Sequence, residues 1–150
     1  VGSEMCIRDR LRKNKSILIV GCSRFGSSLA KALSVKNYDV SIIDINPDSF
    51  RKLSENFGGY TIVGDGISTD ILEAGGIKDA DICIVATDND NTNNLIAQIA
   101  SRIYNVRKVY MRLKDIEKNS LVENYNIQII CPYTLCIKEF ENMSSIELED

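Results

Sequence analysis

Histidine does not occur in this 150-residue chain. With it go the commonest metal ligand and the side chain most often used as a general base near neutral pH. The five cysteines (Cys6, Cys22, Cys83, Cys131 and Cys136) are odd in number and contain no Cys-x-x-Cys pair, which argues against both a zinc site and a disulfide framework. No apolar run approaches the roughly 20 residues that cross a bilayer, so a role at a membrane needs another chain to supply the span. Basic residues are not in excess: 18 Lys and Arg against 21 Asp and Glu leave a net charge of −3 and a pI near 5.1. A general nucleic-acid binder needs a basic face to meet phosphates, so nucleic acid is not expected as a partner. Val1 to Arg10 have neither periodicity nor the apolar core of a signal peptide. Glu4-Met-Cys-Ile-Arg-Asp9 looks like a translated sequencing adapter, and residues 1–14 are expected to be a non-native or disordered leader.

What is present is an ordinary globular composition, 44% hydrophobic and 26% charged, in a length that buries a good core as one domain. The organising stretch is Ser16 to Ala30. Ile17 to Val20 has the length and β-branching of a buried strand, the turn Gly21-Cys-Ser-Arg-Phe-Gly26 follows, and Phe25, Leu29 and Leu33 recur at helical spacing. The first amides of such a helix lack intrahelical partners and the helix dipole adds partial positive charge, so the turn suits an anion, most naturally a phosphate. It reads as the dinucleotide fingerprint G-x-G-x-x-G with Ser23 in place of the middle glycine. A side chain there either costs space near a pyrophosphate or contributes a hydroxyl donor. At 23 residues beyond Gly21, closing the second apolar run Val40 to Ile43, stands Asp44. That is close to where such folds place the carboxylate that accepts from a ribose diol.

Further on, Asn46 reads as a helix cap with Pro47 at the first helical position, and Phe50, Leu53 and Phe57 form the buried stripe of a helix ended by Gly58-Gly59. Tyr60 to Val63 is a third strand. Ser68 or Thr69 caps a short helix through Ala74, closed by Gly75-Gly76. Ile82 to Ala86 is a fourth strand, Leu95 to Ile103 an amphipathic helix, Val109 to Leu113 a fifth strand and Ile116 to Tyr125 helical. Ile127 to Ile130 is a sixth strand that Pro132 breaks, and Cys136, Phe140 and Met143 mark a last helix from Leu135. Six strands alternating with helices predict an α/β fold, a Rossmann-like doubly wound parallel sheet of order 3-2-1-4-5-6 with a C-terminal helix. Residues 15–134 form the nucleotide-binding domain and 135–150 the last helix and tail. In that strand order a ligand belongs over the carboxyl ends at the switch point, near Gly21, Asp44, Gly64 and Ala86. Cys83 and Cys131 read as buried thiols. Cys22, at a helix N-terminus beside Arg24, stands where a thiolate would be stabilised, which makes redox sensing a subsidiary expectation.

The run Val20-Gly-Cys-Ser-Arg-Phe-Gly-Ser-Ser-Leu-Ala30, with Ile43-Asp-Ile-Asn46, Gly64-Asp-Gly66, Val85-Ala-Thr87 and Ile130-Cys-Pro132, resembles the N-terminal TrkA-N or RCK domain of the Trk/Ktr potassium-uptake regulators over about residues 15–143. The resemblance implies a cytoplasmic regulatory subunit, held at the inner face of the membrane by its partner, that binds NAD(H) or ATP/ADP and gates a separate potassium channel or transporter. It also implies a homo-oligomer, a dimer or a ring of dimers, in which the last helix crosses to a neighbouring subunit. By position, Gly21, Cys22, Ser23, Arg24, Phe25 and Gly26 hold the phosphates, and Asp44 binds the ribose with Ile45 and Asn46 beside it. Gly64, Asp65 and Gly66 border the adenine, Ala86, Thr87 and Asp88 flank the phosphates, and Arg112 reaches the nucleotide from the next strand. The chemistry fits, since Arg offers forked donors to phosphate and a carboxylate accepts from a diol. Tyr133 stands where some relatives carry a glutamate for a divalent metal, so no metal is expected, and the C-terminal ligand domain of longer relatives is missing through shortness or truncation. The rival reading is a fragment of an NAD-dependent oxidoreductase. Hydride transfer needs a substrate pocket and usually an acid or base, which neither a histidine nor a second domain supplies here, so an enzyme is not expected. A nucleotide-free interaction module is the third reading.

Overall fold

A computed structural model describes residues 14–117 and 126–148. The alternation inside β1 (Ser16–Val20) sets its architecture. Leu18 and Val20 belong to one core cluster, Ile17 and Ile19 to another, and all four are buried. A strand apolar on both faces must be covered on both, the condition met by a parallel sheet between two helical layers.

The elements in order are β1, α1 (Arg24–Val35), β2 (Asp39–Asp44), a 3-10 segment (Pro47–Lys52), β3 (Tyr60–Val63), α2 (Thr69–Ala74), a single 3-10 turn (Ile77–Asp79), β4 (Ile82–Val85) and α3 (Asp90–Gln98), which runs on as a π segment through Ile103. Then come β5 (Lys108–Arg112), β6 (Ile127–Ile130) and α4 (Pro132–Ser144). The six strands form one parallel sheet in the order β3-β2-β1-β4-β5-β6, as expected. Register brings the strand ends level: Val20 lies opposite Ile43 on one side and Val85 on the other. Helices α2 and α3 bring Leu72, Ile96, Ala97 and Ala100 onto one face, while Ala30 of α1, with Phe25, Leu29 and Leu33 packed alongside, covers the other. Each such fully buried leucine or isoleucine contributes about 1.5–3 kcal/mol relative to exposure.

Two expectations need correction. The segment after Asp44 is two turns of 3-10 helix, not a helix reaching Phe57 and Gly58. Asn46 does cap it, accepting from the Asp48 N–H at 3.0 Å with Pro47 in the first position, but Leu53 already has extended backbone. Phe50, Leu53 and Phe57 still pack against the second core cluster, because burial needs only that the side chains reach the sheet, whereas Ser54 and Asn56 between Leu53 and Phe57 favour turns over helix. Pro132 does not separate β6 from a later helix but opens α4 itself, its missing N–H and preset φ suiting the first helical turn; α4 therefore straddles the 134/135 boundary. Of the helix expected over Ile116 to Tyr125, residues 118–125 lie outside the described residues, as does the leader 1–14 except Asn14.

Candidate functional site

After Val20 the chain turns at Gly21, whose φ of +107° lies in the region open to glycine. A Cβ on Gly21 would stand 2.7 Å from the Thr87 nitrogen and 2.8 Å from the Ala86 carbonyl carbon, so the turn passes the end of β4 closer than a side chain permits. The Gly21 N–H donates to the Ile43 carbonyl at 2.7 Å, which ties the turn to β2 as well. Gly26 meets a second restriction, since a Cβ there would overlap the Gly21 carbonyl oxygen. The outer glycines of the fingerprint are thus imposed by the contact of turn, β4 and the first turn of α1. Ser23, in the middle position, is the N-cap of α1: its hydroxyl accepts from the Gly26 N–H at 3.1 Å and donates to the Ala86 carbonyl at 2.7 Å. The hydroxyl closes the helix end and stitches it to β4, an N-cap contribution of about 1 kcal/mol. The N–H groups of Arg24 and Phe25, at the first two helical positions, precede any internal acceptor and face the end of the helix.

Asp44 is the last residue of β2. Its Oδ2 accepts from the Cys22 N–H and its Oδ1 from the Asn46 N–H, each at 2.8 Å. Two backbone donors therefore orient the carboxylate, and each oxygen keeps a further lone pair for a ligand hydroxyl. From the 3-10 segment, Lys52 Nζ donates to the Cys22 carbonyl at 3.1 Å, and the Cys22 thiol donates to the Ser49 carbonyl at 3.3 Å. This overturns the thiolate expected at Cys22. Its side chain is buried in the cluster under the 3-10 segment; burial first and the Asp44 carboxylate second push its thiol above the ordinary value, against the pull of Lys52 and Lys31. A neutral donor thiol offers no basis for redox sensing.

The opposite wall is the end of β4 with the start of α3. Asn89 caps α3 by accepting from the Thr92 N–H at 2.9 Å. Arg112, at the end of β5, pairs through Nη1 with Asp88 Oδ1 at 3.3 Å. Its Nε is buried with no hydrogen-bond partner among the described residues. Above β3, the Gly64 N–H donates to the Asp44 carbonyl at 3.0 Å, and Asp65 Oδ1 accepts from the Ile67 N–H at 3.1 Å, which closes the turn.

Between these walls lies a cleft of about 580 Å³ over the carboxyl ends of the strands. Of the residues expected at the site, Gly21, Cys22, Ser23, Asp44, Ile45, Gly64, Asp65, Gly66, Thr87 and Asp88 line it. The other six stand outside the lining. Arg24 is exposed at the start of α1, Phe25 packs on the core, Gly26 lies beneath the turn, Asn46 caps the 3-10 segment, Ala86 is fully buried, and Arg112 is turned to Asp88. Ser49, Lys52 and Thr92 line the cleft without having been expected there, and Asn89 lines it from the turn that follows β4. For Asn89 and Thr92 a signal was available in the cap spacing directly after the Thr87 turn. For Ser49 and Lys52 there was none, because a helical reading of that segment carries no information on how it folds back over the glycine turn.

A parallel sheet of this order, with a glycine turn and a strand-end acid flanking a cleft at its switch point, defines a Rossmann-type domain. The TrkA-N domain family model matches residues 17–132, and the chain belongs to that family. The Trk system potassium uptake protein TrkA of Streptomyces coelicolor is 34% identical over 114 residues, 76% of this chain and 51% of that protein. The chain thus spans about half the length of that curated relative. Two solved structures share the fold: the Shewanella denitrificans Kef CTD in AMP-bound form (TM-score 0.66, 24% identity, 90% of this chain and 84% of that one) and the GsuK channel bound to NAD (TM-score 0.69, 19% identity, 85% and 23%). Among the described residues no helix is long and apolar enough to cross a membrane.

Proposed function

We propose that the cleft binds an adenine nucleotide, NAD(H) or ATP/ADP, and that the chain is a regulatory rather than catalytic part of a Trk/Ktr-type potassium channel or transporter. One observation carries the reading: a carboxylate held by two backbone amides at the end of β2 beside the open N-terminus of α1. The first recognises a diol and the second an anion. The cleft fits such a ligand, since its volume falls in the ordinary range for small-molecule sites, roughly 300–1,000 Å³, and the Gly21 and Gly26 approaches keep side chains out of the turn. Asp44 would hold the ribose, the first amides of α1 the phosphates, and the Gly64–Gly66 turn the base. The AMP- and NAD-bound forms of the two structural neighbours and the potassium-uptake name of the relative support the same reading.

Regulation requires a second body to act on, and the chain supplies a surface for one. No residue of α4 is buried, and Leu135, Ile137, Phe140 and Met143 are each about half exposed or more. The proposal is that copies of the chain pair through this helix and that the assembly sits at the inner face of the membrane on its transport partner. Calorimetric titration with NADH, NAD, ATP and ADP tests the ligand: saturable binding of at least one supports it, and heats indistinguishable from dilution for all four refute it.

A further inference from the structure

Asn93, in the first turn of α3, is fully buried and its carboxamide is saturated. Nδ2 donates to the carbonyls of Thr87 and Arg112, both at 3.0 Å, and Oδ1 accepts from the Thr87 N–H at 3.0 Å and from the Thr87 hydroxyl. A carboxamide has two donors and two lone pairs, and all are used. The place in the fold explains the demand. The β4–β5 ladder ends at the pair Val85–Met111, and beyond it the Asn93 side chain joins the two strand ends. One turn earlier, Asp90 accepts from the Lys114 N–H at 2.9 Å and the Asp115 N–H at 3.0 Å, while Lys114 Nζ donates to the Asp88 carbonyl at 2.8 Å. Thr87 and Asp88 line the cleft; Arg112, Lys114 and Asp115 do not.

We propose that Asn93 is a positioning residue which transmits the state of Thr87 to Arg112 and, with Asp90 one turn earlier on the same helix, to Lys114 and Asp115. The proposal rests on the nucleotide-binding reading above. A saturated buried network does not accept displacement of one member alone, because any group left behind loses its hydrogen bond where water does not replace it. A ligand that draws on Thr87 therefore moves Arg112 and the residues after it as well, to the extent that it binds the two arrangements unequally. Asn93→Asp keeps the shape but turns a carboxylate without donors toward the Thr87 and Arg112 carbonyls; Asn93→Ala removes the joint.

Amide hydrogen exchange of the full chain tests this. In the ligand-free wild type, the Thr87, Lys114 and Asp115 amides should exchange through one shared opening with the same urea dependence. Saturating NAD should slow Lys114 and Asp115 by roughly tenfold, inside the roughly 5–150-fold range of ordinary site coupling. In both Asn93 variants NAD should still slow the Cys22 amide on the other wall while its effect on Lys114 and Asp115 shrinks by about threefold or more, the remainder passing through the direct contacts of Asp88 with Arg112 and Lys114. Unrelated openings in the wild type, or protection of Lys114 and Asp115 that is undiminished in the variants, would overturn the proposal. The wild-type arm needs no variant to fold. Shared opening without binding of NAD or any other nucleotide would refute the ligand reading and leave the joint standing.

Discussion

Replacing Asp44 by alanine separates what the acid does for the fold from what it does for a ligand. In the folded protein its carboxylate satisfies the partly buried Cys22 N–H and the exposed Asn46 N–H, each at 2.8 Å. The Asn46 N–H regains water in the variant; the Cys22 N–H, under the 3-10 segment, does so poorly. A hydrogen bond to a charged acceptor contributes about 1.5–3 kcal/mol, so Asp44→Ala should lose about 2 kcal/mol of stability, or roughly 4–8 °C in melting temperature for a domain of this size. Asp44→Asn keeps an acceptor for Cys22 and should lose about 1 kcal/mol or less. Nucleotide binding should fall in both variants, by roughly 1–3 kcal/mol in Asp44→Ala, because the ribose diol loses its acceptor. In the wild type the carboxylate also repels a 2′-phosphate, so NADP should bind more weakly than NAD. Urea melts and calorimetry on the three proteins measure all of this. Unchanged NAD affinity in Asp44→Asn, or equal affinity of the wild type for NAD and NADP, would show that the acid serves the turn alone.

Gly26→Ala sets a Cβ against the Gly21 carbonyl, a backbone group that has no rotamer with which to give way; overpacking of this kind costs about 1–3 kcal/mol, and a variant with wild-type urea midpoint would contradict the close approach. Of the described cysteines, exposed Cys136 should be alkylated first at pH 8, with Cys22 slow and Cys83, pushed up to about 12 by burial, unreactive until the chain unfolds. The sign follows from the raised values: the folded protein keeps these protons to higher pH than the unfolded chain, so their contribution to stability is lost as pH climbs beyond the ordinary thiol value, and mass spectrometry showing Cys22 labelled as fast as Cys136 would refute the assignment. Phe140→Asp should dissociate the proposed oligomer in light scattering at tens of micromolar, whereas a wild type that is already monomeric there would remove the basis for pairing through α4. Bound NADH should persist unoxidised with simple carbonyl substrates; turnover that Gly21→Asp abolishes would restore the oxidoreductase reading.

Strand order was legible from the chain because β1 is apolar on both faces and helical and strand periods alternate after it, which leaves few topologies with right-handed crossovers. Gly26 and Asp44 were legible for the same kind of reason: they answer to contacts within one strand–turn–helix–strand unit, where spacing along the chain is nearly spacing in space, whereas the close approach that demands Gly21 is to Ala86 and Thr87 at the end of β4. The segment Pro47–Lys52 was not legible as 3-10, since apolar residues that reach the core from a short turn leave the same pattern as a helical stripe. Nor was the fate of Cys22, whose neighbours along the chain, Arg24 and a helix end, favour a thiolate, while burial first and the Asp44 carboxylate second favour the neutral thiol in the folded chain. Lys52 and Asn93 belong wholly to the tertiary structure. Each acts on backbone groups from other elements, Cys22 in one case and Thr87 and Arg112 in the other, and those groups come within hydrogen-bonding range only when the packed sheet brings its carboxyl ends together.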